Sequence, residues 1–149
     1  MKLVVLCLLA VCCCSLADTD VKQTRRKLQE VLLRLTDVKE SLQSSEQELR
    51  TPPKNIEDCC CRSALQCFRT NLNGGINAIE KRKQRQLYIS LRDPAIVIIF
   101  SFASHQSTCQ DCGSHPKEKA SEFFSRLESL IERVRALMST IRSTAHPFV

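Results

Sequence analysis

Two pairs of cysteines with different spacings constrain the fold of this chain most strongly: Cys60 with Cys67, and Cys109 with Cys112. Residues seven apart on a helix share one face and lie about 10.5 Å apart along its axis. Residues three apart on an extended segment are separated by about 10 Å. Because the separations match, a helix that carries the first pair can lie beside an extended loop that carries the second, joined by two disulfides. This arrangement is typical of a small secreted helical protein.

Residues 1–17 have the pattern of a secretory signal peptide. A basic start precedes an apolar run over 3–14, and Ser15-Leu16-Ala17 is a small-x-small cleavage site. A membrane anchor is the alternative, but the apolar run is shorter than the about 20 residues that span a bilayer. Cleavage after Ala17 leaves residues 18–149 as one secreted, extracellular domain with one core.

Cleavage also changes the charge and the cysteine count of the mature chain. It removes Lys2, so the formal net charge falls from +6 to +5, and it removes four of the ten cysteines. An oxidising secretory route favours disulfides among the six that remain. Six cysteines allow many alternative pairings, and the sequence alone does not choose among them. Cys59 and Cys61, which flank Cys60, can be free, pair with a partner chain or compete in mispairing.

Apolar periodicity predicts four helices, at about 19–43, 57–72, 76–92 and 116–142. The first carries Val21, Leu28 and Leu35 at heptad spacing, and a coiled coil is its alternative reading. That pattern breaks at Ser44-Ser45, and no second long heptad run follows. The apolar stripe of the last helix continues for nearly five turns, which makes it the strongest of the four helical patterns.

The connections between these segments predict the topology. The first, at 44–56, contains Pro52-Pro53 and can span about 40 Å, so the second helix can run parallel to the first. The apolar, β-branched segment 95–103 predicts a buried strand or packed loop, and a polar loop with the second cysteine pair follows it. Long first and third connections around a short middle one predict an all-α, up-up-down-down four-helix bundle.

No catalytic motif is present in the sequence. The three histidines fall in predicted loops or the tail, and there is no phosphate-binding glycine loop, His-Glu-x-x-His or nucleophile elbow. We expect no catalytic residue, cofactor or metal. Cys109-x-x-Cys112 could serve a redox function, or bind zinc together with Cys60 and Cys67. The first use lacks its βαβ context, and the second lacks standard ligand spacing.

Two basic runs have three interpretations. The runs are Arg25-Arg26-Lys27 and the third-helix cluster Lys81, Arg82, Lys83 and Arg85. They can bind heparin or nucleic acid, form solvated helix faces, or meet a receptor. Few aromatic residues interleave with them, so base stacking is not supported. A cationic membrane-active peptide is an alternative for the whole chain, although the last helix carries both signs of charge.

Three segments carry a family resemblance: CCRSALQCF at 60–68, TCQDCGS at 108–114 and EFFSRLESL at 122–130. They resemble the interleukin-21 cytokines of the interleukin-2 family, in a form from fish or other lower vertebrates. The match covers the first, second and last helices, roughly two-thirds of the mature chain. It implies a short-chain four-helix cytokine with disulfides Cys60–Cys109 and Cys67–Cys112 that clip the third connection to the second helix.

The resemblance also implies partners. A monomer would bridge a private class I cytokine receptor chain and the shared gamma chain on lymphocytes and trigger Janus-kinase/STAT signalling in immune regulation. It would bind no nucleic acid and insert into no membrane. The private chain would meet the first helix at Lys27, Gln29 and Glu30 and also the third helix, while the shared chain would meet the last helix at Glu132 and a face of the first. From charge and exposure we add Arg25, Arg26 and Arg34.

One segment departs from the family. Where the family has a basic run and then a Pro-rich polar loop, this chain has Arg92-Asp93-Pro94 followed by the apolar 95–103. Its basic cluster lies earlier, at 81–85. We therefore expect weakened or shifted binding to the private receptor chain.

Overall fold

The computed structural model describes residues 2–41, 46–74, 81–102 and 108–144, with side chains over 22–41, 46–73, 82–101 and 108–139. Within these residues the fold is mostly helical, with five helices, a two-stranded sheet and two disulfides. The helices are α1 (Lys2–Ser41), α2 (Cys61–Gly74), α3 (Lys81–Leu91), α4 (Pro94–Phe102) and α5 (Ala120–Thr144). The antiparallel strands are β1 (Glu48–Arg50) and β2 (Lys117–Lys119).

The helix boundaries differ from the predicted ones in instructive ways. α1 ends at Ser41, and its first part covers residues 2–17 of the predicted signal peptide. The signal-peptide boundary at Ala17 stays a prediction. A 3₁₀ turn, Asp58–Cys60, precedes α2, and α5 begins four residues late because β2 takes up 117–119. Residues 42–45 and 76–80, predicted as helix ends or connections, lie outside the described residues. None of the helices that the structure describes is long and apolar enough to cross a membrane.

The core lies between α1, α2, α3 and α5. The first helix contributes the stripe of Leu28, Val31, Leu35 and Val38, all at most 1% exposed. The ring of Phe123 on α5 packs edge-on against two others, with its centre 5.0 Å from that of Phe68 and 5.2 Å from that of Phe124. Edge-to-face pairs of this kind add stability beyond the area that they bury. The predicted stripes of α1 and α5 are therefore core stripes.

The prediction of a strand or packed loop at 95–103 is wrong, because most of this segment forms the helix α4. Asp93 caps the helix, with its Oδ1 accepting the N–H of Ala95 at 3.0 Å. Pro94 occupies the first helical position, where its missing N–H costs nothing. Ile96 and Phe100, one turn apart, are fully buried. Tertiary burial thus outweighs the weak helix propensity of the β-branched residues.

The small sheet fixes the start of α5 to the connection that follows α1. The N–H of Ala120 donates to the carbonyl of Gln47 at 2.9 Å, and that of Thr51 donates to the carbonyl of Pro116 at 3.0 Å. Further along, Arg126 donates to the carbonyl of Pro52 at 3.3 Å and Arg133 donates to that of Lys54 at 2.8 Å. Beyond the antiparallel sheet, the partners on α5 advance together with the chain from Pro52 to Lys54, so this part of the connection runs alongside α5 in the same direction.

Candidate functional site

Two disulfides join α2 to the segment that precedes β2. Cys60 is bonded to Cys109 with 5.7 Å between their Cα atoms, and Cys67 is bonded to Cys112 with 5.2 Å. Cys60 ends the 3₁₀ turn before α2, and Cys112 begins another 3₁₀ turn, Cys112–Ser114. The amide of Asn71 donates to the carbonyl of Cys67 at 2.9 Å and lies 3.3 Å from the sulfur of Cys112. This is the pairing that the family resemblance implies.

The bonding of these sulfurs bears on the redox and zinc interpretations. Cys109 and Cys112 are bonded to α2 and not to each other, whereas a Cys-x-x-Cys redox site alternates between a dithiol and an internal disulfide. Zinc binds thiolates, and all four sulfurs are in disulfides. Among the described residues no cluster of three or more His, Cys, Asp or Glu could hold a metal ion. His115, the one histidine of the described residues, is buried, and burial lowers its pKa.

The two remaining cysteines, Cys59 and Cys61, are free thiols in different surroundings. Cys59 is partly exposed, and its sulfur lies 3.8 Å from the bridged sulfur of Cys60 and 3.4 Å from the Glu57 carboxylate. Cys61 is fully buried in the core. Burial, reinforced by the charge of Asp58, raises the pKa of the Cys61 thiol, so this sulfur is a poor nucleophile. Pairing of Cys59 with a partner chain stays a prediction.

Three of the first-helix residues that are predicted to meet a receptor form ion pairs: Lys27, Glu30 and Arg34. Lys27 forms an ion pair with Asp93, Nζ to Oδ2 at 2.8 Å, and Arg34 pairs with Glu30 at 2.7 Å. Arg34 also reaches the carbonyl of Gln86 on α3 at 3.5 Å. Because Lys27 meets the C-terminal side of α3 and Arg34 meets its middle, the two helices run antiparallel. The surface that Lys27, Glu30 and Arg34 of α1 form with the neighbouring residues of α3 is called the α1–α3 face from here on.

The other predicted residues lie on exposed surface around that face. Seven of them are exposed: Arg25, Arg26 and Gln29 on α1, Arg82, Lys83 and Arg85 on α3, and Glu132 on α5. The side chain of Lys81 lies outside the described ones. Since the helices are antiparallel, the basic cluster of α3 lies roughly 15 Å along the axis from Arg25 and Arg26. The two basic runs therefore form separate patches at opposite ends of the α1–α3 face.

Sequence patterning did not single out three further residues at the site. Leu33 on α1 and Ile89 on α3 are large apolar side chains with 64% and 59% exposure. Leu33 could have been found, because it falls outside the buried stripe of α1. Gln84 interrupts the basic run by turning inward to 4% exposure, and its Nε2 makes no hydrogen bond in the described part of the chain. A buried amide without a partner is uncommon in folded proteins.

Comparison with known families adds nothing to this geometry, because no model of a known protein family matches the chain. The chemistry of the described surface is therefore the basis for a functional assignment. It consists of two disulfides that fix a loop to α2, a partly charge-paired face between α1 and α3, and exposed charges on α5. Surfaces of this kind are compatible with recognition of a protein or a polyanion.

Asp93 gives a testable link between charge and fold. Its hydrogen bonds from Lys27, at 3.0 and 2.8 Å, lower the pKa of its carboxyl below the usual 3.8. Stability gained this way is present above pH about 3.8 and is lost as pH falls through the lower folded-state pKa. We expect Asp93→Asn, which can still cap α4, to lower the free energy of unfolding by under about 1 kcal/mol at pH 7. Asp93→Ala should cost about 1 kcal/mol more, because it also removes the cap.

Urea unfolding of the three proteins at pH 7 and pH 3 measures these differences. The difference in free energy of unfolding between wild type and Asp93→Asn should narrow at pH 3, because below the usual 3.8 the unfolded chain binds a proton at this carboxyl that the folded state takes up only at lower pH. The additional cost of Asp93→Ala should change less, since an uncharged oxygen also accepts the capping hydrogen bond. A wild-type advantage over Asp93→Asn that is equally large at both pH values would contradict the ion-pair explanation.

Proposed function

We propose that the chain is a secreted cytokine of the interleukin-21 type. It would bridge a private class I receptor chain and the shared gamma chain on lymphocytes, so that the kinases bound to each act on one another. The observation that carries this proposal is the pair of disulfides between α2 and the 109–112 segment. Their pairing agrees with the one implied by three resembling segments that are far apart in sequence. No catalytic step is part of the proposed activity.

We assign α1, α2, α3 and α5 to the four helices of an up-up-down-down bundle, with α4 added within the third connection. The contacts of Lys27 and Arg34 support an antiparallel α1 and α3. Phe68 packs on Phe123, while Ala64 and Leu130 line one cleft, which supports an antiparallel α2 and α5. A first connection that runs alongside α5 also fits, because it returns the chain to the end where α2 must begin.

Two separate faces would meet the two receptor chains. The α1–α3 face would bind the private chain, and the face between α1 and α5, which Lys39 and Glu128 link at 3.2 Å, would bind the shared chain near Glu132. The exposed apolar side chain of Ile89 on α3 would be available for burial against a receptor chain. Because both receptor chains are tethered to one membrane, binding the first raises the effective concentration of the second.

Charge pairing on the α1–α3 face supports a changed private-receptor contact. Lys27 and Arg34 are each partnered by a carboxylate, so they add less net positive charge to the face than their sequence indicates. To this contact we assign Arg82, Lys83 and Arg85 at the far end of α3, which form no ion pair with any other residue in the described ranges. We propose that private-receptor binding has shifted towards this cluster.

Binding to immobilised receptor ectodomains tests the proposal. We expect the secreted protein to bind the private chain, and the resulting complex to capture the shared chain. Arg82→Glu with Lys83→Glu should weaken private-chain binding at least about tenfold, the effect of losing about 1.4 kcal/mol. Lys117→Glu with Lys119→Glu changes the charge equally at exposed positions of β2 and should leave binding unchanged.

The shared chain supplies a reciprocal control. Glu132→Arg should weaken capture of the shared chain and leave private-chain binding intact, because these residues lie on different faces. Failure of the wild-type protein to bind either ectodomain at micromolar concentration would contradict the cytokine proposal. Leakage of anionic vesicles in the absence of cells would instead support the membrane-active alternative.

A further inference from the structure

A groove of about 480 Å³ lies between α2 and α3, away from both proposed receptor faces. It is lined on α2 by Gln66, Arg69, Thr70 and Asn73, and on α3 by Tyr88 and Arg92. α1 contacts α3 and α5, whereas this groove is formed where α3 contacts α2. None of its lining residues belongs to the predicted receptor-binding set. A ligand in the groove would therefore leave the other two faces free.

The groove is positively charged, and its lining side chains include several hydrogen-bond donors. Among the residues that the structure describes, the charged ones that line it are Arg69 and Arg92, and none of the lining residues is a carboxylate. The guanidinium of Arg92 lies over the ring of Tyr88, 5.5 Å from its centre. Such a cation–π contact restrains the guanidinium while its N–H groups remain available to a ligand.

We propose that this groove binds a sulfated glycan of the heparan sulfate type. Arginine forms paired hydrogen bonds with the oxygens of sulfate and carboxylate groups, which such a chain presents at regular intervals. The amides of Gln66 and Asn73 can donate to the remaining oxygens and to sugar hydroxyls. The hydroxyl of Thr70 donates to the carbonyl of Gln66 at 2.9 Å, so towards a ligand it can accept from a sugar hydroxyl. The lining offers no apolar pocket to anchor the side chains of an acidic peptide, so a linear polysaccharide fits better.

This inference rests on the extracellular location in the proposed function, because sulfated glycans are found there. It does not require either receptor chain, so the two proposals can fail separately. Glycan binding would retain the cytokine at the cell surface. The retained cytokine could still bind its receptor, because receptor and glycan would occupy different faces. Receptor ectodomain binding by a groove variant should therefore equal that of the wild type.

Chromatography and titration on immobilised heparin test the groove. We expect wild-type protein to be retained at about 0.15 M NaCl and Arg69→Gln with Arg92→Gln to bind about tenfold more weakly, having lost two charge-assisted contacts. The slope of log affinity against log salt should fall by about one for each arginine removed. Lys117→Gln with Lys119→Gln is the control, since it removes two exposed positive charges from β2, and it should leave retention nearly unchanged.

Three results would overturn the proposal. The first is failure of the heparin column to retain the wild-type protein at about 0.15 M NaCl, where electrostatic screening is the same as at physiological ionic strength. The second is an equal loss of affinity in the groove variant and in the β2 control, because diffuse charge would then explain binding. The third is competition by polyglutamate as effective as that by heparin of equal charge, because an acidic polypeptide would then be the better ligand. An unchanged unfolding midpoint in the groove variant shows that the fold is intact.

Discussion

Replacement of Cys67 and Cys112 by serine together is expected to lower the free energy of unfolding by about 3 kcal/mol. Because the Cys60–Cys109 bridge remains, the lost bridge closes a loop of only about 12 residues, through 60–67 and 109–112, and the chain-entropy description gives about this amount for such a loop. Losses of about 2–5 kcal/mol are usual for native disulfides of small secreted domains. Since such domains have total stabilities of about 5–15 kcal/mol, the loss is a large fraction of the whole.

Urea unfolding of the purified protein measures this loss, with non-reducing peptide mapping to verify the linkages first. Cys59→Ser is the matched control, because it removes a thiol beside the bridges without opening either one. It should change stability by less than about 0.5 kcal/mol, as surface substitutions usually do. Cys67→Ser alone tests the same bridge but leaves a reactive thiol at Cys112. An unchanged unfolding midpoint in the double variant would contradict a structural role for this disulfide.

The parts of the fold that could be predicted are those whose burial follows a regular sequence period. The stripe of α1 from Leu28 to Val38 and the apolar face of α5 are amphipathic at 3.6 residues per turn, and both are buried. The sheet could not be predicted, because Glu48–Arg50 and Lys117–Lys119 have no strand pattern. Their pairing depends on the meeting of two connections that are distant in the chain.

The charged site shows a second limit of sequence patterning. Lys27 is basic and was expected to meet a partner protein, yet it pairs with Asp93, 66 residues away. Arg34 is likewise held by Glu30 one turn earlier on the same helix. The second pair could have been anticipated, since an acidic residue four positions before a basic one is a favourable helical spacing. The first could not, because it depends on the packing of α1 against the start of α4.

The α4 segment combines a local signal that favours a helix with a composition that favours a strand. Asp93-Pro94 is a helix start as well as the end of the preceding helix, because Asp is a favoured N-cap and Pro a favoured first residue. Ile96 and Phe100 then follow at helical spacing. The β-branched run of Ile and Val outweighed these signals in the sequence-based interpretation. For this segment the capping residues therefore predict the secondary structure better than the composition does.

Phe100→Ala is expected to destabilise the protein by about 3–5 kcal/mol, the usual cost of removing a buried phenylalanine ring. Phe100 is fully buried, so its loss leaves a cavity between α4 and the rest of the core. Ile98→Ala is the control on the same helix, because Ile98 is 54% exposed. It should be nearly neutral, since little buried area is lost and alanine favours a helix more than isoleucine does.

The contrast between these two variants determines whether α4 is part of the core or an appended loop. Urea unfolding with both disulfides intact should give a large loss for Phe100→Ala and almost none for Ile98→Ala. Equal, small effects would contradict the burial of Phe100 and make the segment a surface loop. A core role would fix the chain after α3 against the bundle, so that the segment could not swing out to meet a receptor. Contact with the private chain would then depend on the exposed cations of α3, which Arg82→Glu with Lys83→Glu tests directly.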